Sequence, residues 1–185
     1  MPCYTIFAGV NGAGKSTLYL TTSSIQNDNR VNTDEIISTI GNWRNAEDNI
    51  KAGKIAVSKI KEYFRNMESF NQETTLCGRS ILANIRKAKE LGYRIEMYYV
   101  GVTSVEIAKS RVRQRVLSGG HGVSEKDIER RYYQSFENLK SILSFCDIAV
   151  LYDNTDFFKK IAVFYNGDCK DHATDIPEWA RQFIP

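Results

Sequence analysis

Residues 9–17 read Gly-Val-Asn-Gly-Ala-Gly-Lys-Ser-Thr and fill the pattern G-x-x-x-x-G-K-[ST], with Gly9, Gly14, Lys15 and Ser16 in the fixed places. Glycines at that spacing let the backbone curl so that successive N–H groups point at phosphate oxygens. A lysine next to them reaches the β- and γ-phosphates of a nucleotide, and the hydroxyl after it binds Mg²⁺. The candidate nucleotide cradle is therefore Gly9, Asn11, Gly12, Ala13, Gly14, Lys15, Ser16 and Thr17. ATP and Mg²⁺ are the cofactors this motif predicts.

Two acidic residues follow at places where a carboxylate can work beside such a cradle. Asp34, in Val31-Asn32-Thr33-Asp34-Glu35-Ile36, lies shortly after the first crossover helix. A carboxylate there accepts or orients the proton of an attacking hydroxyl; equally, it is a helix-start residue interacting with the dipole. Glu73, in Phe70-Asn71-Gln72-Glu73-Thr74-Thr75-Leu76, ends a strand candidate. It can hold the Mg²⁺ shell through water or grip a substrate hydroxyl, with Thr74 and Thr75 as hydrogen-bond donors.

A cluster of arginines comes next. Arg111, Arg113 and Arg115 precede Gly119-Gly120-His121-Gly122, and Arg130 and Arg131 follow. A helix, a glycine hinge and a second helix suggest a lid over about residues 111–131. One or two of the arginines on it would stabilise charge spreading over a transferring phosphoryl group. Arg111 and Arg115 share a helix face, four residues apart. The chain holds only two histidines, His121 and His172, which argues against a histidine metal site. Asn154, in Tyr152-Asp153-Asn154, is a candidate nucleoside contact.

These residues need a scaffold, and the patterning supplies one. Strands are expected at Tyr4–Ala8, Ser69–Glu73, Arg94–Val102, Asp147–Tyr152 and Lys160–Tyr165, the last turned at Asn166-Gly167-Asp168. Helices are expected from about Gly14 to Thr22, from a Thr33 cap to Ile40, over Ala46–Met67, Ser80–Leu91 and Ser104–Leu117, and from a Ser124 cap to about Phe145, with a short one at Pro177–Phe183. Ser23–Asn29 is polar and reads as a loop. The alternation predicts an α/β three-layer α/β/α sandwich with a mostly parallel sheet, one P-loop domain over residues 1–185, and ligands at the carboxyl ends of the strands.

Composition narrows the function classes. A hydrophobic fraction of 42% and only three prolines predict a packed core rather than disorder. The net charge of +3 falls well short of a polybasic nucleic-acid footprint. Four scattered cysteines without a CxxC pair read as reduced thiols, and no apolar run is long enough for a signal peptide or a membrane span. A cytoplasmic setting is the expectation. No Asn-Lys-x-Asp or Asp-x-x-Gly is present, which argues against a GTPase switch, and no apolar strand ending in Asp-Glu marks an energy-coupling ATPase.

With Val-Asn-Thr-Asp-Glu-Ile at 31–36, Glu-Thr-Thr-Leu-Cys-Gly-Arg at 73–79, Gly-Tyr-Arg-Ile-Glu-Met-Tyr-Tyr-Val at 92–100, Arg-Val-Arg-Gln-Arg-Val-Leu-Ser-Gly-Gly-His at 111–121 and Tyr-Asp-Asn at 152–154, the chain resembles the short, stand-alone branch of the zeta toxin-like kinases over about residues 4–154. That resemblance implies a P-loop kinase fold. Asp34 would be the base or hydroxyl-orienting residue, Glu73 the acceptor contact, Lys15 the phosphate holder, Ser16 the Mg²⁺ ligand, and Arg115 with Arg130 or Arg131 the γ-phosphate stabilisers. Better-known members phosphorylate the 3′-hydroxyl of UDP-N-acetylglucosamine and are held inactive by an antitoxin protein, so a nucleotide-sugar acceptor and an antitoxin partner come with the resemblance. Cys77 stands where the family pattern has serine. Two other readings use the same cradle: a nucleotide-dependent binding module that hydrolyses ATP slowly, and a nucleic-acid 5′-hydroxyl kinase, which the modest charge disfavours.

Overall fold

A computed structural model describes residues 1–23 and 26–185; Ser24 and Ile25, within the expected Ser23–Asn29 loop, lie outside the described residues. In chain order the elements are β1 (Cys3–Ala8), α1 (Lys15–Thr21), β2 (Arg30–Val31), α2 (Thr33–Ile40), α3 (Ala46–Asn66), β3 (Phe70–Thr74), α4 (Arg79–Glu90), β4 (Arg94–Gly101), α5 (Val105–Leu117), α6 (Glu125–Ile142), β5 (Ile148–Asp153), β6 (Lys159–Tyr165), β7 (Asp168–His172) and α7 (Glu178–Arg181). The strands form one sheet in the order β2-β3-β1-β4-β5-β6-β7. The first five in that order are parallel, and β6 and β7 are antiparallel. The expected α/β sandwich with a mostly parallel sheet is what the chain adopts.

The central strand β1 is buried from Tyr4 onward, as parallel strands covered on both faces must be. Its side chains alternate between two cores. On one face Tyr4 stacks on Phe70 at 4.4 Å, and Phe64 of α3 meets both rings edge-on. Tyr99 continues that face against Phe136 of α6 and Trp179 of α7. On the other face Phe7 stacks on Tyr98 at 5.6 Å and meets Tyr19 of α1 edge-on. Neighbouring Tyr98 and Tyr99 thus serve opposite layers, and each aromatic pair adds about 0.5–1.5 kcal/mol beyond its buried area.

Differences from expectation are local. Asn32, not Thr33, caps α2: its side chain accepts from the Asp34 N–H at 2.9 Å, and Thr33 is the first helical residue. The last long helix ends at Ile142 and tightens into a 3₁₀ turn over Leu143–Phe145. Two strands were not expected. β2 is two residues long, too short for an alternating pattern. β7 is the exposed edge Asp-Cys-Lys-Asp-His, whose charges blunt pairing with other chains rather than signal burial. No described helix is long and apolar enough to cross a membrane.

Candidate active site

The loop after β1 is built by close approach. Gly9 has φ of 137°, and a Cβ there would run into the Val100 carbonyl oxygen of β4. Gly14 opens α1 at φ of 106°, and a Cβ there would strike the Asn154 amide, whose Nδ2 donates to the Ala13 carbonyl at 2.8 Å. A side chain at either place would also strain a left-handed backbone. No side chain caps α1 and no acid sits in its first turn, so nothing in the helix competes with an anion.

Lys15 is only 8% exposed, and its Nζ donates to the Val10 carbonyl at 3.1 Å. Burial lowers its proton affinity below that of an ordinary lysine; Glu73 and Asp34 oppose the shift, and Arg115 and Arg131 add to it. All four candidate charged groups from the sequence therefore act on one ammonium.

Glu73 ends β3 beside the cradle, in register with Phe7 of β1. Ser16 Oγ donates to both of its carboxylate oxygens, at 2.8 and 3.0 Å. Arg30 Nη2 donates to the same carboxylate at 2.7 Å and Asn32 Nδ2 at 3.0 Å. Arg30 lies 3.7 Å over the Tyr19 ring, and its side chain and that of Glu73 are each 10% exposed. A buried carboxylate costs free energy unless it is hydrogen-bonded and paired; here it is both. Thr74 Oγ1 accepts from the Leu76 N–H, holding Leu76 at a positive φ of 60°, while Thr75 lines the cleft.

Asp34 occupies the facing wall, on the first turn of α2. Arg115 Nη1 lies 3.9 Å from its Oδ2, and His121 Nε2 lies 3.6 Å from its Oδ1. The His121 ring packs on Trp43 with centroids 5.3 Å apart. Among the described residues, the buried side-chain nitrogens without a hydrogen-bond partner are Arg115 Nε, Arg115 Nη2 and His121 Nδ1, all at this wall.

The structure sorts the arginines. Arg131 Nη1 donates to Asn11 Oδ1 of the cradle at 3.0 Å, whereas Arg130, also at the cleft, is taken up by Asp127 and Gln134 of its own helix α6. Arg111 donates to the Asn154 and Thr155 carbonyls at 2.7 and 2.8 Å, fixing the loop that covers Gly14. Arg113 pairs with Glu125 at the rim. So Arg111 and Arg115, on one helix face, serve different places. Thr17 is exposed, and its carbonyl accepts from Thr21 within α1.

These groups surround a cleft of about 1220 Å³ lined by Asn11, Lys15, Asp34, Glu73, His121 and Arg131 among others. No cluster of three His, Cys, Asp or Glu side chains fit to hold a metal occurs among the described residues. Ser16 with Glu73 behind it suits a hard cation that keeps waters and phosphate oxygens as its other ligands, as Mg²⁺ does. Arg30, Asn32 and Trp43 escaped the sequence reading. Arg30 precedes the Asp34 segment and carried a signal, as a lone arginine beside a buried strand position; Trp43 carried none.

A family model described as an AAA domain (AAA_33) matches residues 5–138. An uncharacterized protein of Haemophilus influenzae is 33% identical over 129 residues, which is 68% of this chain and 89% of the relative. Of solved structures, the AvrRxo1-ORF1:-ORF2 complex with ATP superposes at a TM-score of 0.73 and 14% identity, over 99% of this chain and 62% of that one. A chain of the PezAT chromosomal toxin-antitoxin system of Streptococcus pneumoniae gives 0.67 at 15% identity, over 100% of this chain and 78% of that one. At these identities the likeness is one of fold, and this chain spans less than two thirds of the AvrRxo1 chain it matches.

Proposed function

The chain belongs to this AAA domain family, with a P-loop kinase-like fold, and from that premise we propose that it is a zeta toxin-like kinase, moving the γ-phosphoryl group of ATP to a hydroxyl of a small acceptor of the nucleotide-sugar class. One observation carries the reading. Asp34 faces the same cleft as Lys15 but is spared from the cradle, because Glu73 already takes the hydrogen bonds of Ser16, Arg30 and Asn32. Two carboxylates in one cleft, one engaged and one open, suit one role at the phosphates and one at the acceptor.

In this reading the cradle N–H groups and Lys15 hold the phosphates, and Arg131 and Arg115 neutralise charge on the γ-phosphoryl oxygens. Ser16 and Glu73 hold Mg²⁺, which screens phosphate charge when bound. Asp34 accepts the hydrogen bond of the acceptor hydroxyl and aims its oxygen at the γ-phosphorus. The new P–O bond forms from that oxygen, the bond to the β,γ-bridging oxygen breaks with its electron pair leaving on ADP, and the hydroxyl proton departs by way of Asp34. Residues 111–131 act as the lid of a single domain, and the carboxyl-terminal part of β3 places Thr74 and Thr75 near the acceptor. An antitoxin-like protein partner belongs to the same proposal, since two of the similar structures are described as a two-component complex and a toxin-antitoxin system.

Phosphorus NMR of the protein with Mg²⁺·ATP, with and without UDP-N-acetylglucosamine, tests this. A phosphomonoester signal that requires the acceptor supports it. ADP and free phosphate that ignore every hydroxyl acceptor, and rise only with a protein partner, replace it with the nucleotide-dependent binding module; labelling of a 5′-hydroxyl oligonucleotide replaces it with a nucleic-acid kinase.

A further inference from the structure

His121 lies between Gly120 and Gly122 in the α5–α6 connector, yet its side chain is only 19% exposed. Three elements converge on it. Asp34 comes from α2, Arg115 from α5 and Arg131 from α6, and Trp43 of the α2–α3 connector packs against its ring, with Arg44 4.3 Å over the indole. Its two nitrogens have unlike surroundings: Nε2 faces the Asp34 carboxylate, whereas Nδ1 is buried with no partner.

We infer that His121 is a positioning residue for Asp34: as a neutral imidazole it turns Nε2–H toward Oδ1 and sets the carboxylate for the acceptor hydroxyl. The inference rests on the kinase reading for its consequence and on the geometry alone for its premise. A neutral ring carries one N–H, and a carboxylate is the acceptor within reach, so the hydrogen belongs on Nε2. Arg115 Nη1 lies 3.9 Å from the other oxygen, Oδ2. The carboxylate thus has one neutral and one cationic group within 4 Å, both from the α5–α6 segment, while Asp34 itself is fixed to α2 through the Asn32 cap. Apposition of the two segments sets the carboxylate orientation.

The charge on His121 then matters. Burial holds its pKa below the 6.5 of an ordinary imidazole; Asp34 opposes this, and Arg115 and Arg131 reinforce it. The neutral ring is therefore the form favoured near neutral pH. Protonation below the His121 midpoint converts the contact to an ion pair, which ties the carboxylate to the imidazolium in competition with the acceptor hydroxyl.

The chain has only two histidines, so the imidazole signals of His121 and His172 resolve by NMR, and His172 on β7 is an internal reference. Titration of the full chain should place the His121 midpoint below 6.5, and Asp34→Asn should lower it further while leaving the His172 signal where it was. A His121 midpoint that ignores Asp34→Asn overturns the inference whether or not any acceptor is phosphorylated. In the transfer assay, kcat should fall about tenfold per pH unit below that midpoint, and His121→Gln should remove this acid limb with KM for ATP unchanged. An acid limb that persists in His121→Gln assigns the titration to another group and overturns the inference too. Absence of transfer to any acceptor counts against the kinase proposal, and the NMR titration then decides the His121 contact by itself.

Discussion

The two walls of the cleft are built to opposite standards. On the cradle wall Ser16, Glu73, Arg30 and Asn32 close a network at 2.7–3.0 Å, and Lys15 and Arg131 each have an oxygen partner within the protein. On the facing wall Asp34 meets Arg115 and His121 only at 3.9 and 3.6 Å, and three buried nitrogens have no partner. A buried unpaired donor costs about 1–3 kcal/mol, and Arg115 Nε and Nη2 are two such donors, so the second wall carries a cost the first does not. Such a cost persists where a ligand supplies the missing oxygens. The cradle is finished by folding; the facing wall is completed by what it binds.

That contrast can be broken from either side. The largest expected effect belongs to Lys15→Ala, which should weaken ATP binding by about a thousandfold, read by calorimetry. Its removal takes the single ammonium that the surrounding charges focus on. Glu73→Gln should come next, through stability. It weakens a network held by charge-assisted hydrogen bonds and leaves Arg30, 10% exposed, with the exposed Glu35 as its remaining carboxylate, and urea unfolding should show a loss of about 1–3 kcal/mol. If Glu73→Gln unfolds at the wild-type urea concentration, the cradle wall is not the closed network described here. Arg131→Ala should lower transfer by about a hundredfold, whereas Arg130→Ala, its exposed neighbour already paired with Asp127, should change it by less than about twofold. Equal losses in the two variants would erase the distinction drawn from the Asn11 contact. The smallest effect is the most pointed. Arg115→Met removes two unpartnered nitrogens, so thermal unfolding of the ligand-free protein should show a gain of about 1 kcal/mol even as transfer falls. A clear loss of stability would mean that Arg115 is already paired in the free protein.

The same contrast explains what could be read before any coordinates. The cradle is a local pattern: nine consecutive residues prescribe the turn between β1 and α1, the lysine and the hydroxyl. The main strands and helices were legible for the same reason, since hydrophobic period and caps act over a few residues. The Arg30–Glu73 pair was not, because residues 30 and 73 meet only through the β2–β3 register, and β2 has two residues with which to announce itself. Arg131 was separable from Arg130 in principle. It lies three residues after Ile128 and four before Ser135, both buried, and so faces inward, while Arg130 falls in line with Asp127 and Gln134. The meeting of Asp34 with Arg115 and His121 depends on how the α5–α6 segment folds over α2, a tertiary fact with no sequence period. Asp34 was legible as a candidate, and its surroundings were not.

The central claim is that the cleft divides its labour, with phosphates on the Lys15–Ser16–Glu73 wall and the acceptor hydroxyl on the Asp34 wall. Its most direct test pairs two readings on Asp34→Asn: calorimetric affinity for Mg²⁺·ATP and single-turnover transfer to the acceptor. The account predicts ATP affinity within about twofold of wild type and transfer slowed by about 10²–10⁴-fold. Undiminished transfer, or a loss of ATP affinity as large as the loss of transfer, would contradict it.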